Sequence, residues 1–400
     1  MVAIRHRRWP GDTVRLAVTI TVILALIGCS AGVNDDRAGT ETPYPIRTVP
    51  AGGGATPSSA GITISAVTRD RAGEAALSTA IAADPANAAL LRQRAAVRVA
   101  LADLGGAIAD LDAASVLDPP NARALLARGE VLLRRGLWER ALADLDAAIR
   151  QDPSLGDAYL ARARTRSALA RGDVAVYRAA LDDLTLARAT ANTPAAIPVV
   201  RARVLLDRHT YRGDPADLAA VVDGFRANPP AVPAGIAVAA EALARSGDLA
   251  GAGSVLETAP PATSPEDRAS LDLAAAMVAA LGGDDDRAAE QVSAALVADP
   301  WSWPARRFQI EASLDAGRAE EARDRAKEVL VLLPNDPETV FLLGRALVAT
   351  GEIEAAREQF DLTAELAPDS PVYRARIAEA LESLSPGSGP VASPPDPADG

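Results

Sequence analysis

Apolar residues in this chain fall at helical spacing, and the pattern restarts at fixed intervals. Ala141 and Leu145 are four apart, as are Ala356 and Phe360, while Ala180, Leu184 and Ala187 advance by four and three. Such spacing lays an apolar stripe along one side of a helix. Nothing in the chain alternates as a half-buried strand would. Proline and glycine punctuate the stripes in register. Asp84-Pro85, Asp118-Pro119 and Asp152-Pro153 recur every 34 residues, and so do Pro300, Pro334 and Pro368. Twelve residues before these prolines stand Ala107, Ala141, Ala288, Ala322 and Ala356. Five residues before four of those alanines stand Gly136, Gly283, Gly317 and Gly351. A unit of this length with these markers reads as two helices. The glycine ends the first, the alanine lets the second pack closely, and the proline stops the second.

At these residues the chain resembles the tetratricopeptide repeat family. The family's small residue, spaced large apolar residue and closing proline appear as Ala141, Leu145 and Pro153, and again as Ala356, Phe360 and Pro368. Where the family favours Trp, Leu-Gly and Tyr, one repeat has Leu125, Arg128-Gly129 and Leu132. A later one has Val340, Leu343-Gly344 and Leu347, and the first repeat replaces the glycine by Ala95. The resemblance spans residues 66–384 and is strongest over 86–153 and 301–368. It implies an all-α, right-handed superhelical solenoid of antiparallel helix pairs, with the first helices on the concave surface.

The markers divide the solenoid, 63–384, into a half-repeat at 69–83 and eight repeats. These lie at 86–119, 120–153, 154–192, 195–229, 232–262, 265–298, 301–334 and 335–368, with a closing helix at 372–384. The third repeat carries an insertion, Val174–Arg178, before the spacing resumes at Ala180. The fourth and fifth follow the markers least well. The chain is 49% hydrophobic but only 3% aromatic, so its core is mostly alanine, leucine and valine. Alanine brings helix backbones close but buries little area, at about 25 cal/mol per Å², so stability must accumulate over neighbouring repeats.

Residues 1–28 have the make-up of a secretory leader. Arg5, Arg7, Arg8 and Arg15 precede an apolar run from Leu16 to Ile27, interrupted only by Thr19 and Thr21. That run is shorter than the ~20 residues a membrane span needs. Leu26, Ile27, Gly28 and Cys29 follow as a set that resembles the lipobox of bacterial lipoproteins. The resemblance implies cleavage before Cys29, a lipid anchor on its sulfur and a location outside the cytoplasmic membrane, facing the extracytoplasmic side. Cys29 is the only cysteine in the chain, so it has no internal disulfide partner. Residues 29–62 are rich in Gly, Pro, Thr and Ala and read as a disordered tether; 385–400 read as a similar tail.

Formal net charge is −12. Loss of the leader removes four arginines and one aspartate and makes the chain more acidic still. Such a balance argues against nucleic acid as a partner. Catalytic and metal-binding patterns are missing from the sequence. His209 would be the one histidine of the mature chain, beside Arg208 and Thr210. Asp110 and Asp112, like Asp144 and Asp146, are two apart and point to different helix faces, so neither pair can share a proton. Asp284-Asp285-Asp286 after two glycines suits a helix start. The expectation is a non-enzyme with no cofactor, no metal and no evident small-molecule substrate.

Charge is sorted by helix in the first three repeats. Arg92, Arg94 and Arg98, then Arg123, Arg128, Arg134 and Arg135, then Arg162, Arg164 and Arg166 lie on first helices. Asp110 and Asp112, then Glu139, Asp144 and Asp146, then Asp182 and Asp183 lie on second helices. Two consequences compete. With first helices concave, as the resemblance implies, Arg92, Arg123, Arg128, Arg134 and Arg164 would line a basic groove for a partner protein or acidic peptide. Alternatively the arginines solvate helix faces and pair with neighbouring repeats' aspartates. The family's carboxylate-binding grooves use Lys and Asn at fixed places; Arg92 matches one basic place, but Ala96 stands where an asparagine is needed. The functional expectation is a membrane-anchored interaction scaffold. The alternative is an accessory lipoprotein of envelope assembly or polysaccharide or protein secretion, offering Trp301, Trp303, Phe308 and Phe341 to a glycan or machine.

Overall fold

In the computed structural model, residues 71–382 are described apart from 189, 191, 193 and 263. They form eighteen helices, and no strand occurs among the described residues. A single helix, α1 (Arg71–Ala83), is followed by α2 (Ala88–Ala100) with α3 (Leu104–Leu117) and α4 (Ala122–Arg135) with α5 (Trp138–Gln151). Next come α6 (Gly156–Ala170) with α7 (Val174–Ala187), α8 (Ala196–Arg212) with α9 (Pro215–Ala227), and α10 (Pro233–Arg245) with α11 (Leu249–Glu257). The array continues as α12 (Pro265–Leu281) with α13 (Asp285–Ala298), α14 (Trp303–Asp315) with α15 (Ala319–Leu332) and α16 (Pro337–Ala349) with α17 (Ile353–Leu366). Helix α18 (Pro371–Glu382) closes it. The all-helical solenoid expected from the sequence is the observed architecture. The leader with Leu26, Ile27, Gly28 and Cys29, the tether and the 385–400 tail lie outside the described residues.

Local chemistry sets the helix ends. Asn87, Asn121, Asp173, Asp214, Asp284 and Asp336 each accept a backbone N–H of the following first turn with their side chains. Asp284 does this toward Arg287 N at 3.1 Å, which accounts for the acidic run there. At the pair corners the chain passes through the left-handed region. Gly136 has φ of 83°, and its N–H and that of Leu137 close onto the last carbonyls of α4. The equivalent corner of the first repeat has no glycine, and Ala102 takes φ of 60° in its place. Pro119, Pro153, Pro334 and Pro368 each stand two residues past the end of a second helix.

Packing between the paired helices is tight at the small positions. Ala107, Ala141, Ala322 and Ala356 have no solvent exposure, and Leu145 and Phe360 are fully buried beside them. Gly129 and Gly344 sit opposite these large side chains. A Cβ on Gly129 would come within 2.9 Å of Leu145, and one on Gly344 within 2.5 Å of Phe360. Helix α11 is the exception, nine residues long with only Ala252 buried.

The array also closes on itself. Trp301 donates its indole N–H to the Ala102 carbonyl at 2.7 Å, and Trp303 donates to the Arg134 carbonyl at 3.0 Å. The Ser370 hydroxyl donates to the Tyr211 carbonyl at 2.5 Å, and Arg212 donates to the Asp369 carbonyl at 2.9 Å. The rings of Tyr211 and Tyr373 stand 5.4 Å apart. Thus successive corners of the first four repeats meet the loops that open α14 and α18. Trp138, from α5, shares one core with Trp303, Leu333 and Phe341. No helix among the described residues is long and apolar enough to cross a membrane.

Candidate functional site

The charge sorting seen in the sequence resolves into two structures. The first is a ladder. Arg94, Arg128 and Arg162, 34 residues apart on α2, α4 and α6, each hold the aspartate of their own second helix with two nitrogens. The bonds are 2.6 and 2.9 Å to Asp110, 2.7 and 2.7 Å to Asp144, and 3.0 and 2.7 Å to Asp183. The third nitrogen reaches back to the preceding repeat: Ser78 at 3.2 Å, Asp112 at 3.1 Å and Asp146 at 2.7 Å. The Asp-x-Asp spacing follows from this geometry. Residues two apart on a helix face different neighbours, so Asp110 and Asp144 serve their own repeat while Asp112 and Asp146 serve the next. The forked guanidinium suits such a double clamp. Asp110, Asp144 and Asp183 are buried, and hydrogen bonding to Asp110 and Asp144 raises the pKa values of Arg94 and Arg128.

Arg128 is therefore a structural clamp, and its proposed place in a basic groove is corrected: its guanidinium is committed within the repeat stack. Arg92 binds Asp118 at 2.7 Å in a partly exposed pair at the repeat edge. Arg123 is exposed on the first turn of α4. Arg134 is spent on closure, reaching Glu266 at 2.5 Å and Asp299 at 3.5 Å, while its Nε is buried without a hydrogen-bond partner. The five arginines singled out in the sequence therefore do not form one surface.

The second structure is a charged row across successive first helices: Glu130 on α4, Arg164 on α6, Arg203 and Asp207 on α8, and Glu241 on α10. Arg203 binds Glu241 at 2.8 Å, and Arg245 adds a second contact to the same carboxylate at 2.9 Å. Burial works against ionising Glu241, but Arg203 and Arg245 overcome it and hold its pKa below the usual value. Asp207 accepts from Ser167 at 2.7 Å, and burial raises its pKa despite Arg203. Glu130 and Arg164 differ from the rest. Among the described residues neither has a hydrogen-bond or ion-pair partner. Both side chains are exposed to solvent, with neighbouring helices close by. Burial raises the pKa of Glu130, with Arg164 opposing, and burial lowers that of Arg164, with Glu130 opposing. Of the sequence-picked arginines, Arg123 and Arg164 make no hydrogen bond or ion pair among the described residues, and Arg164 also feels the charge of Glu130. Glu130 was not picked, although it occupies the position of Arg164 one repeat earlier.

The four aromatic residues singled out in the sequence are all buried or partly buried. Trp303 and Phe341 are buried, and Trp301 is partly buried under Arg135, whose guanidinium lies 4.4 Å from the ring centroid. Phe308 packs beside a buried cluster of Ala269, Val292 and Ala305. His209 Nδ1 lies 2.8 Å from the Asp214 carbonyl, at the turn after α8. Among the described residues no three His, Cys, Asp or Glu side chains gather as metal ligands would.

Comparison with known proteins bears on the repeats. No curated protein matches the chain. Among solved structures it is similar to the Cut9–Hcn1 hetero-tetramer of the APC/C, at 14% identity and TM-score 0.47, covering 78% of this chain and 59% of that one. It is also similar to an IFIT1 monomeric mutant bound to Gppp-AAAA, at 16% identity and TM-score 0.49, covering 74% and 72%. A tetratricopeptide repeat protein from Parabacteroides merdae matches at 14% identity and TM-score 0.34, covering 74% and 98%. Two tetratricopeptide repeat family models match at residues 92–155 and 313–380. The chain thus carries tetratricopeptide repeats at both ends of its helical array.

Proposed function

We propose that this protein is a lipid-anchored, extracytoplasmic tetratricopeptide-repeat scaffold that holds a partner protein or an acidic peptide on its inner face. The observation that carries the reading is Arg164, a solvent-exposed guanidinium that makes no hydrogen bond or ion pair among the described residues and feels only more distant charges, Glu130 and Glu266 among them. A cation so placed is open to a carboxylate, which its planar fork can bind with two nitrogens. The repeats support an interaction role; the anchor rests on Leu26, Ile27, Gly28 and Cys29, behind the short apolar run.

Titration of the purified protein with a glutamate-rich peptide tests the binding face. Arg164→Glu should weaken binding at least tenfold, and raising salt should weaken it further, since screening lengths fall below ~8 Å above physiological ionic strength. Arg140→Glu, on the outer helix α5 and half-exposed, is the control and should leave affinity unchanged. Equal loss from both variants, or affinity indifferent to salt, would remove Arg164 from the site. Cell fractionation tests the anchor. Cys29→Ala should yield an unprocessed, unlipidated precursor, because durable attachment needs more than one acyl chain on that sulfur. A variant processed and retained like the wild type would defeat the lipoprotein reading.

A further inference from the structure

We propose that helices α12–α18 form a latching module, closed against the first four repeats and released as a unit about a hinge at α11. Three independent features of the structure lead there. The first is the seam, which joins residues 157 to 199 positions apart in sequence. Its hydrogen bonds run from side chains of one half to backbone carbonyls of the other: Trp301 to Ala102, Trp303 to Arg134, Ser370 to Tyr211 and Arg212 to Asp369. Such bonds exchange for water without breaking any helix. The seam also pairs Arg134 with Glu266 and Asp299 but leaves Arg134 Nε and Arg135 Nη1 buried without hydrogen-bond partners, so release would exchange the ion pairs for hydration of those two nitrogens.

The second feature is the module's own core. Ile310, Ala322, Ala326, Val329, Phe341 and Phe360 are buried among α14–α17. The module therefore keeps most of its apolar contacts when the seam parts. From the first four repeats, Trp138 is buried within this core, while Leu133, Leu169 and Tyr211 pack against it partly buried.

The third is the hinge. Helix α11 has nine residues where α5, α13, α15 and α17 have fourteen. It contains Gly251 and Gly253, and a side chain at Gly253 would meet nothing within 4 Å. Glycine inside a helix lowers its resistance to bending. Beside α11 the shortened helix leaves an open recess of about 310 Å³, lined in part by Leu256, Pro260, Pro261 and Leu271. A weak short helix beside unfilled space is where a solenoid can flex while its neighbours stay rigid. Release about this hinge would bare the Ala102, Arg134 and Tyr211 carbonyls.

The experiment approaches the seam from both sides in the full chain. Trp301→Ala with Trp303→Ala removes donors from the module, and Leu133→Asp with Leu169→Asp places charge on the surface it covers. Small-angle scattering and circular dichroism are read together. The latch predicts a larger radius of gyration in both double variants with helix content unchanged. Gly253→Ala, away from the seam, should leave the compact radius as it is. Hydrogen exchange separates release from unfolding: amides within α16 and α17 should stay protected in the expanded variants. Double variants as compact as wild type, or variants that lose helix content and protection in α16 and α17 together, would show that the seam is permanent core and overturn the proposal.

Discussion

The arginine ladder shows how one residue type can serve opposite ends within a repeat. Arg128 and Arg164 are both on first helices, yet a two-residue difference in phase, from one repeat to the next, turns one into the stack and leaves the other exposed to solvent. Arg128→Ala should cost about 2–3 kcal/mol, because Asp144 is left buried and charged and Asp112 loses one of its two arginine donors, keeping Arg140. Arg123→Ala, exposed at the start of α4, should stay within about 0.5 kcal/mol; urea denaturation distinguishes the two. Glu130 gives a pH prediction. Its folded pKa is raised, mainly by burial, so the folded state binds the proton more tightly than the unfolded chain does. Its effect therefore destabilises above the folded pKa and disappears below the unfolded value of about 4.3. Glu130→Gln should be more stable than wild type at pH 7, with the gain fading to nothing in acid. A gain that persists or grows as pH falls would remove burial of Glu130 as its source.

Within each helix pair, the deciding contact is a small residue facing a large one. Gly344 against Phe360 and Gly129 against Leu145 leave no room for a methyl group. Gly344→Ala should cost about 1–3 kcal/mol through overpacking. Hydrogen exchange should rise first in α16 and α17, since repeats depend chiefly on their neighbours. Equal exposure of α2 and α3 would contradict that order. The same spacing that makes these contacts made them readable: a small residue followed four positions later by a large apolar one is a local pattern.

Closure changes what a corner glycine means for the whole molecule. Gly136 and Gly351 have nearly the same conformation, φ of 83° and 82°. An added Cβ at Gly351 meets nothing within 4 Å, whereas at Gly136 it would stand 2.8 Å from Leu333 Cδ1 across the seam. Both alanine variants carry the left-handed backbone cost of about 1 kcal/mol. Gly136→Ala should exceed Gly351→Ala by a further margin, and thermal denaturation of the pair reads it. Equal losses would mean that the seam yields freely at Leu333.

The sequence by itself determined the helices, their corners and their pairing, because each depends on residues within one unit of 34: a capping aspartate, a left-handed glycine, an alanine opposite a leucine. It also carried the sorting of charge between first and second helices, which left the groove and the clamp as competing readings. Side-chain direction alone could decide between them, and it put Arg94, Arg128 and Arg162 into the stack and left Glu130 and Arg164 exposed without a clamp partner. The seam lay beyond any local pattern. Trp301 reaches Ala102 only because small rotations, accumulated over the intervening repeats, bring the two corners together. No residue near either of them encodes that meeting.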